Sequence, residues 1–324
     1  MKAWRAHGVG EPRAVLRFDD LPTPSPGPGE VVIDVESAAV NFPDLLLCRD
    51  LYHHRPDRPF GLGCEAAGTV SAVGPDVELT VGQRVVTAPM SYGCFATRVR
   101  VPAATVLPVP DSLPTEQAAA LFMAYQTGWV GLNRRAGLRS GETLLVYGGA
   151  GGVGSAAVQI GKAAGATVIA VAGGTRKVEA CRRLGADVVI DHTRQDVVAA
   201  VKDSTAGRGV DVVFDPVGGP VFDQSRRVVA TEGRILVVGF ASGELPVLPV
   251  THALIKNYAV IGFRLQPFRE DPAYVRHVHD ELLTLHAKGQ ITPQVHAVMP
   301  MADAPAAVAR LADREIVGRI VLSN

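Results

Sequence analysis

The sequence predicts an α/β protein with two domains, one a doubly wound parallel sheet and the other a β-rich, barrel-like domain. Its 324 residues suggest two domains, since one domain commonly has ~150 residues. Short strand candidates separated by turn residues occupy the first third of the chain, which is typical of a compact barrel-like domain. Strand and helix candidates then alternate, which favours a parallel sheet with helices on both faces.

Composition excludes several classes of function. The chain has 32 basic and 32 acidic residues and a formal net charge of zero, so it lacks the excess of positive charge expected for nucleic-acid binding. No stretch reaches the ~18 apolar residues of a spanning helix, so we expect no membrane association. The four cysteines are far apart and form no paired framework, which indicates a reducing compartment and a cytoplasmic protein.

The β-rich region provides strand candidates at 31–35, 68–74 and 82–86, each close to glycine or proline. The second region begins with a helical segment after Ser112 and Pro114. Its strand candidates are β-branched runs at 143–147, 167–171, 187–190, 211–214, 234–238 and 259–263. A helix at 273–288 and a closing strand at 319–322 are expected to return to the first domain. We therefore predict a barrel domain of residues 1–122 and 265–324, and a sheet domain of residues 123–264.

A glycine-rich segment follows the strand at 143–147 and begins the helix at 155–164. It fits the Gly-x-Gly-x-x-Gly pattern in the context that a dinucleotide-binding turn requires. We expect Gly149 to allow the tight turn, Gly151 to let the backbone approach a pyrophosphate, and Gly154 to allow close helix–strand packing. The whole segment is the predicted phosphate site: Gly149, Ala150, Gly151, Gly152, Val153 and Gly154.

The next strand indicates which dinucleotide binds. An NAD site commonly ends this strand with a carboxylate for the ribose 2′-hydroxyl, but none occurs here before Glu179. The segment instead contains Gly173, Thr175, Arg176 and Lys177. Two cations and a hydroxyl suit a 2′-phosphate, although Thr175 could simply cap a solvated helix. We predict NADPH rather than NADH.

The chain resembles the medium-chain dehydrogenase/reductase superfamily, and specifically its zinc-free NADPH:quinone oxidoreductase branch, which includes zeta-crystallin. The resemblance extends over almost the whole chain. Its markers are Val40–Asn41–Phe42–Pro43–Asp44, Leu51–Tyr52, residues 61–68, residues 148–154, Asp215–Pro216–Val217–Gly218–Gly219 and residues 318–322. The resemblance implies a GroES-like barrel domain beside a Rossmann domain, a homodimer, and reduction of a quinone or a similar conjugated carbonyl.

Zinc-dependent members of the superfamily have a histidine where this chain has Cys64, and a cysteine near residues 41–44 where none occurs here. The cysteine-rich structural-zinc loop is also missing, because residues 86–95 contain only Cys94. A catalytic zinc site needs three protein ligands, so we predict no metal.

Three residues are candidates for catalysis on the basis of the resemblance. Tyr52 matches a tyrosine that contacts the cofactor in quinone reductases and is proposed as a proton donor in enoyl-thioester reductases; alternatively it packs on the domain surface. Asn41 could donate its amide to substrate or nicotinamide, or serve in a turn before Pro43. Asp44 could orient neighbouring backbone or be purely structural.

Further cofactor contacts come from the resemblance and from strand ends. The family places a nicotinamide contact at Thr127 and an adenine contact at His192, although a helix position and an exposed loop would also explain them. Arg319 replaces a common lysine and could only anchor the last strand. The remaining candidates lie in the Asp-Pro-Val-Gly-Gly motif or at the carboxyl ends of strands, where doubly wound sheets bind ligands: Val217, Val238, Gly239, Phe240 and Phe263.

Three functions remain open at this stage. The first is reduction of quinones by NADPH. The second is reduction of the C=C bond of 2-enals, enones or enoyl thioesters, which depends more on Tyr52. The third is NADPH binding without catalysis, as in crystallin-like members.

Overall fold

The computed structural model describes all 324 residues, Met1–Asn324. The chain divides into two compact units. The strands are β1 Lys2–Ala6, β2 Leu16–Asp20, β3 Glu30–Ala39, β4 Phe60–Gly61, β5 Ala66–Val73, β6 Arg84–Thr87, β7 Arg98–Pro102, β8 Val106–Pro108, β9 Thr143–Tyr147, β10 Thr167–Ala172, β11 Val188–Asp191, β12 Val210–Asp215, β13 Val229–Val237, β14 Ala259–Gly262, β15 Val295–Pro300 and β16 Arg319–Ser323. The helices are α1 Pro12–Val15, α2 Phe42–Cys48, α3 Thr115–Trp129, α4 Gly152–Ala163, α5 Thr175–Arg183, α6 Val197–Ser204, α7 Pro220–Val228, α8 Val250–Lys256, α9 Pro272–Ala287 and α10 Ala304–Ala309.

The barrel unit contains Met1–Met123 and Pro293–Asn324. Its main sheet has seven strands in the order β15-β16-β3-β5-β6-β8, with β7 also paired to β3, and a second sheet has the order β2-β1-β4. The β3–β5 ladder is antiparallel and shifts register twice, and such irregularities help a sheet to curve. At one of them a β-carbon on Gly68 would overlap the carbonyl oxygen of Asp34, so only glycine fits. The predicted GroES-like barrel domain is confirmed.

The sheet unit contains Ala124–Thr292. Its six strands are all parallel and have the order β11-β10-β9-β12-β13-β14. Every residue of β9 is buried, as expected for a central strand with helices on both faces. The strand order reverses between β9 and β12, and ligands of doubly wound folds bind at the carboxyl ends of such a pair. The predicted Rossmann fold is confirmed.

The boundary between the units differs from the expected one. Residues 265–292, which include α9, belong to the sheet unit and not to the barrel unit. The reason is that α9 packs on α3 within the sheet unit: Gln126 donates from Nε2 to the carbonyl oxygen of Val275 at 3.2 Å. The ring of Trp129 also contacts that of His277 edge-on, with centroids 5.9 Å apart.

None of the helices combines the length and the apolar character that crossing a bilayer requires.

Candidate functional site

The glycine-rich segment forms the connection between β9 and α4. Gly148 has a φ of +59° and accepts a hydrogen bond on its carbonyl oxygen from the Gly151 N–H at 2.8 Å. Gly148 therefore makes the tight turn, and the role expected for Gly149 is corrected. A β-carbon on Gly149 would lie 3.0 Å from the Cβ of Ala170, so this glycine instead allows close packing on β10.

The other two glycines of the pattern have different surroundings. A β-carbon on Gly154 would overlap the carbonyl oxygen of Gly148, so the helix can approach the turn only with glycine there. A β-carbon on Gly151 would meet only the Gly148 oxygen, at 3.3 Å, and otherwise point into open space. Since α4 begins at Gly152, its first N–H groups and partial positive charge are available to an anion beside Gly151. This cradle fits a pyrophosphate.

The loop after β10 forms the second part of the site. Gly174, with a φ of +81°, precedes α5, so Thr175, Arg176 and Lys177 lie in the first helical turn. Thr175 and Arg176 are exposed to solvent. A hydroxyl and two cations at a helix N-terminus suit a phosphate group.

Asp191 was not anticipated at this loop. It ends β11, and its Oδ1 accepts hydrogen bonds from the Gly174 N–H at 3.0 Å and from the Thr193 hydroxyl at 2.7 Å. Hydrogen bonds from the Thr193 hydroxyl, the Gly174 N–H and the Thr193 N–H lower the pKa of Asp191 to about 2. The carboxylate thus joins the loops after β10 and β11. The signal available in the sequence was an Asp at a strand end with Thr two residues later.

His192, for which an adenine contact is predicted, lies next to this loop. It is exposed, and its backbone N–H donates to the carbonyl oxygen of Ala172 at 3.1 Å. A β-carbon on Gly173 would lie 2.6 Å from its Nε2, so the imidazole packs against the glycine. His192 and Gly173 therefore form one continuous surface.

The strand order reverses between β9 and β12, and this place is called the switch point. The predicted residues on its other side lie at the ends of β12, β13 and β14. Val217 follows β12, and its Cγ2 would be 3.8 Å from a β-carbon on Gly148, so these two turns are adjacent. Val238, Gly239 and Phe240 follow β13, and 43% of Phe240 is exposed. Phe263 is buried and donates from its N–H to the carbonyl oxygen of Val237 at 3.0 Å.

Thr127 is half-buried in α3, close to α4. The following residue explains the proximity, because a β-carbon on Gly128 would lie 2.9 Å from the Cδ1 of Ile160 in α4. The helix that carries Thr127 therefore packs tightly against the helix that begins at the glycine turn.

The barrel unit contains a buried polar network around Glu65. Oε1 of Glu65 accepts from Nδ2 of Asn41 at 2.8 Å and from Nη2 of Arg319, and Oε2 accepts from the backbone N–H of Met123 at 2.7 Å. Glu65 is fully buried, so these donors replace the water that an isolated carboxylate would need. Glu65 was not among the site residues predicted from the sequence.

The network changes the expectation for Asn41. Its Nδ2 also donates to the carbonyl oxygen of Ala39 at 3.1 Å, so both amide hydrogens are used inside the barrel unit. The expectation that this amide donates to substrate or nicotinamide is therefore wrong. The amide instead makes a structural contact with Glu65.

Arg319 has two features that bear on its expected role. Its ion pair with Glu65 anchors β16 to the barrel core, which is the alternative that the sequence analysis had kept open. Its Nε is buried and has no hydrogen-bond partner, so the side chain retains one unused donor.

Asp44 is also fully buried, next to Asn41. Its Oδ2 accepts from the Asn41 N–H at 2.7 Å, and its Oδ1 accepts from the Gly63 N–H at 3.3 Å. Burial raises the pKa of Asp44 to about 7, although these two N–H donors and the charge of Arg319 act in the opposite direction. Asp44 thus fixes two segments of backbone.

Tyr52 follows α2 and is half-buried against the barrel core. Its ring contacts the imidazole of His53, with centroids 4.1 Å apart. Its packing against the barrel core places Tyr52 on the barrel unit.

The residues at the position of the catalytic zinc in related enzymes do not fit that ion. Cys64 is buried, and burial raises the pKa of its thiol well above the usual value. The oxygens of Glu65 already accept three hydrogen bonds. No group of three or more His, Cys, Asp or Glu side chains is arranged to hold a metal ion.

Two family models match the chain. The model described as an alcohol dehydrogenase GroES-like domain matches residues 27–111, and the one described as a zinc-binding dehydrogenase matches residues 152–280. The second match lies in the sheet unit, and the structure has no group of three or more His, Cys, Asp or Glu side chains that could hold the zinc of its description.

Comparisons over the full length give relatives that match both units. The quinone oxidoreductase-like protein 2 homolog of Nematostella vectensis is 33% identical over 330 residues, covering 100% of this chain and 90% of that protein. The Escherichia coli quinone oxidoreductase complexed with NADPH superposes with a TM-score of 0.94 at 29% identity, covering 100% of both chains. A mycobacterial protein, also complexed with NADPH, gives a TM-score of 0.93 at 33% identity, again covering 100% of both chains.

Proposed function

Since this chain belongs to the quinone oxidoreductase branch of the medium-chain dehydrogenase/reductase superfamily, we propose that it transfers hydride from NADPH to a quinone or a similar conjugated carbonyl. The observation that carries the proposal is the turn between β9 and α4. There, Gly154 brings the helix against Gly148 and leaves open space beside Gly151 at the helix N-terminus. Two of the solved relatives with this fold are complexed with NADPH, which supports the choice of cofactor.

Residues of the sheet unit would hold the cofactor in two parts. The pyrophosphate would lie against the backbone of residues 149–154, and the 2′-phosphate against Thr175, Arg176 and Lys177, with His192 and Gly173 beside the adenosine. The nicotinamide half would contact residues across the switch point and on α3, namely Thr127, Val217, Val238, Gly239, Phe240 and Phe263. Arg319 is a further candidate because its Nε has no partner within the barrel unit.

NADPH supplies the hydride, so the protein has to bind and orient the reactants and exclude water. We assign no step to a metal, because this chain's residues do not form a ligand set for one. A quinone suits such a site because its conjugated system delocalises the charge that arrives with the hydride. Tyr52 is proposed as a contact to the reactants.

We also propose that the protein is a homodimer. Strand β14 is at the edge of the sheet, and only β13 pairs with it, so its other edge can pair with a second copy. The segment that precedes it in the chain contains exposed apolar side chains, which a second copy would cover: Leu245, Val247, Val250, Leu254 and Ile255. Light scattering of Leu254→Glu should show a shift from dimer to monomer, whereas a wild-type monomer would contradict the proposal.

The four cysteines are free thiols and all are buried. Because thiols persist in reducing compartments, we propose that the protein acts in the cytoplasm. Quantitative localisation of a tagged protein would test this.

The function is tested by following NADPH oxidation with purified protein and a panel of acceptors. The panel contains a quinone, a 2-enal, an enoyl thioester and a simple ketone. We expect turnover with the quinone and far less with the ketone. Turnover confined to the enal or enoyl thioester would favour double-bond reduction instead. Binding of NADPH without oxidation by any acceptor would favour a non-enzymatic role.

A further inference from the structure

Asp215 is the one carboxylate buried at the carboxyl end of the central strands of the sheet. It ends β12, which pairs with β9 so that Phe214 lies opposite Val146. Its side chain is 0% exposed, and its Oδ2 has no hydrogen-bond partner. A buried carboxylate with an unused oxygen is costly, so it calls for an explanation beyond ordinary packing.

The other oxygen of Asp215 shapes the turn that follows. Oδ1 accepts from the Val217 N–H at 2.8 Å and from the Gly218 N–H at 2.9 Å. Gly218 and Gly219 follow with φ of +67° and +54°, so the backbone bends sharply here and needs these two hydrogen bonds to hold its shape.

This turn lies between two loops that the proposed function assigns to the cofactor. On one side, a β-carbon on Gly148 would lie 3.8 Å from Pro216 and from Val217. On the other side, the loop after β13 is attached to it by two hydrogen bonds: the Ala241 N–H donates to the Pro216 oxygen at 3.1 Å, and the Ser242 N–H donates to the Val217 oxygen at 2.9 Å. A displacement of the Asp215 turn would therefore displace the loop that contains Phe240.

The two sides of the switch point serve different parts of a dinucleotide. The basic loop after β10 is proposed to bind the 2′-phosphate, so the loops after β12 and β13 are left for the nicotinamide half. The side chain of Asp215 forms hydrogen bonds only on this nicotinamide side, in the loop after β12.

We propose that Asp215 is a positioning residue for the nicotinamide half of NADPH: Oδ1 fixes the turn 216–219, and this turn fixes the loop 238–243. The proposal rests on the proposed function. What the turn requires from residue 215 is one oxygen that accepts two N–H groups. An asparagine supplies that oxygen, and its NH₂ group replaces the oxygen that has no partner. An alanine supplies neither.

The test compares two ligands with Asp215→Ala, Asp215→Asn and the matched control Asp223→Ala, which removes an exposed carboxylate of α7. The ligands are NADPH, which occupies both halves of the site, and adenosine 2′,5′-bisphosphate, which occupies only the adenosine half. Dissociation constants are measured by calorimetry. We expect Asp215→Ala to weaken NADPH about tenfold or more. It should leave the bisphosphate within about twofold of the wild type, while Asp215→Asn and the control should bind both ligands about as the wild type does.

Several results would overturn the proposal. Equal weakening of both ligands by Asp215→Ala would indicate general damage to the sheet, and no weakening would show that the turn does not need the carboxylate. An Asp215→Asn variant as weak as the alanine variant would show that charge, not acceptor geometry, matters. If Asp215→Ala does not fold, Asp215→Ser takes its place, and we expect several-fold weaker NADPH binding with unchanged bisphosphate binding. If the wild type itself does not bind NADPH, the proposed function fails. The wild-type titration alone identifies this outcome, without any of the variants.

Discussion

The backbone N–H of Asn41 donates to the Oδ2 of Asp44 at 2.7 Å, inside a barrel core from which water is excluded. The same Asn41 donates its side-chain amide to Glu65, which also pairs with Arg319. Two carboxylates and one guanidinium are thus buried in one network. Of the two carboxylates, Asp44 is the one held only by backbone N–H groups.

Asp44 should make stability depend on pH. Burial raises its pKa in the folded protein to about 7, above the usual 3.8, so the folded state binds the proton more tightly than the unfolded state. The stability contributed by this proton is complete below about pH 4 and is lost as the pH rises through about 7. Asp44→Asn removes the titration. The free energy of unfolding of Asp44→Asn, relative to that of the wild type, should therefore increase by about 1–4 kcal/mol between pH 5 and pH 8.

Urea unfolding of both proteins at the two pH values measures this difference. Asp111→Asn, at an almost fully exposed position, is the control and should show no such trend. A constant difference between Asp44→Asn and the wild type would show that Asp44 does not titrate in this range.

Two glycines of the turn should respond differently to alanine. Gly154→Ala places a methyl group on the Gly148 oxygen and should destabilise the protein by about 2 kcal/mol or more. The methyl group of Gly151→Ala meets only the Gly148 oxygen, at 3.3 Å, so the loss of stability should be much smaller than for Gly154→Ala. That methyl would occupy the approach of the pyrophosphate, and NADPH binding should weaken about tenfold.

Thermal unfolding and NADPH titration separate these effects, with Gly8→Ala as a control whose methyl group meets only Val15 at ordinary contact distance. Unchanged NADPH affinity in Gly151→Ala would mean that no phosphate lies against this backbone.

Arg176 and Lys177 should determine the preference for NADPH over NADH. Each is expected to form a charge-assisted hydrogen bond with the 2′-phosphate, so replacing either by alanine should lower kcat/KM for NADPH about tenfold. The value for NADH should change little. Arg182→Ala, in the last turn of the same helix, is the matched control. Equal losses with both cofactors would place the 2′-phosphate elsewhere.

Replacing Tyr52 with phenylalanine removes its hydroxyl but keeps the ring that contacts His53. If Tyr52 only binds the reactants, quinone turnover should stay within about threefold of the wild type. If it donates a proton to an enolate, turnover of an enoyl thioester should fall about 10²-fold. Steady-state kinetics with both acceptors distinguishes the two roles, and a large loss with the quinone would contradict the binding role.

Sequence patterns predicted the parallel sheet well because its strands are continuous β-branched runs between turn residues. Strand β9 has the predicted bounds, and β10 is one residue longer than predicted. Residues 229–233 of β13 were missed, because Thr231, Glu232 and Gly233 interrupt the apolar run. The helical run expected after Ser112 begins at Thr115, after Pro114.

The site was predicted less completely, because its key contacts join residues distant in the sequence. The glycine spacing identified the turn, yet the backbone angle that makes the turn belongs to Gly148 and not Gly149. Asp191 was not anticipated as a site residue, since its contact with Gly174 depends on which strands are neighbours in the sheet. Asp215 was not anticipated either: its hydrogen bonds to Val217 and Gly218 are local, but its complete burial depends on the packing of the sheet. The place of residues 265–292 in the sheet unit likewise depends on packing of α9 on α3, which no local pattern records.

Calorimetric titration of the purified wild-type protein with NADPH and with NADH is the most direct measurement of the central claim. We expect one NADPH bound per chain, with NADH at least tenfold weaker, since it lacks the phosphate that Arg176 and Lys177 would hold. No heat of binding with either dinucleotide, or binding unaffected by Gly151→Ala, would contradict the account.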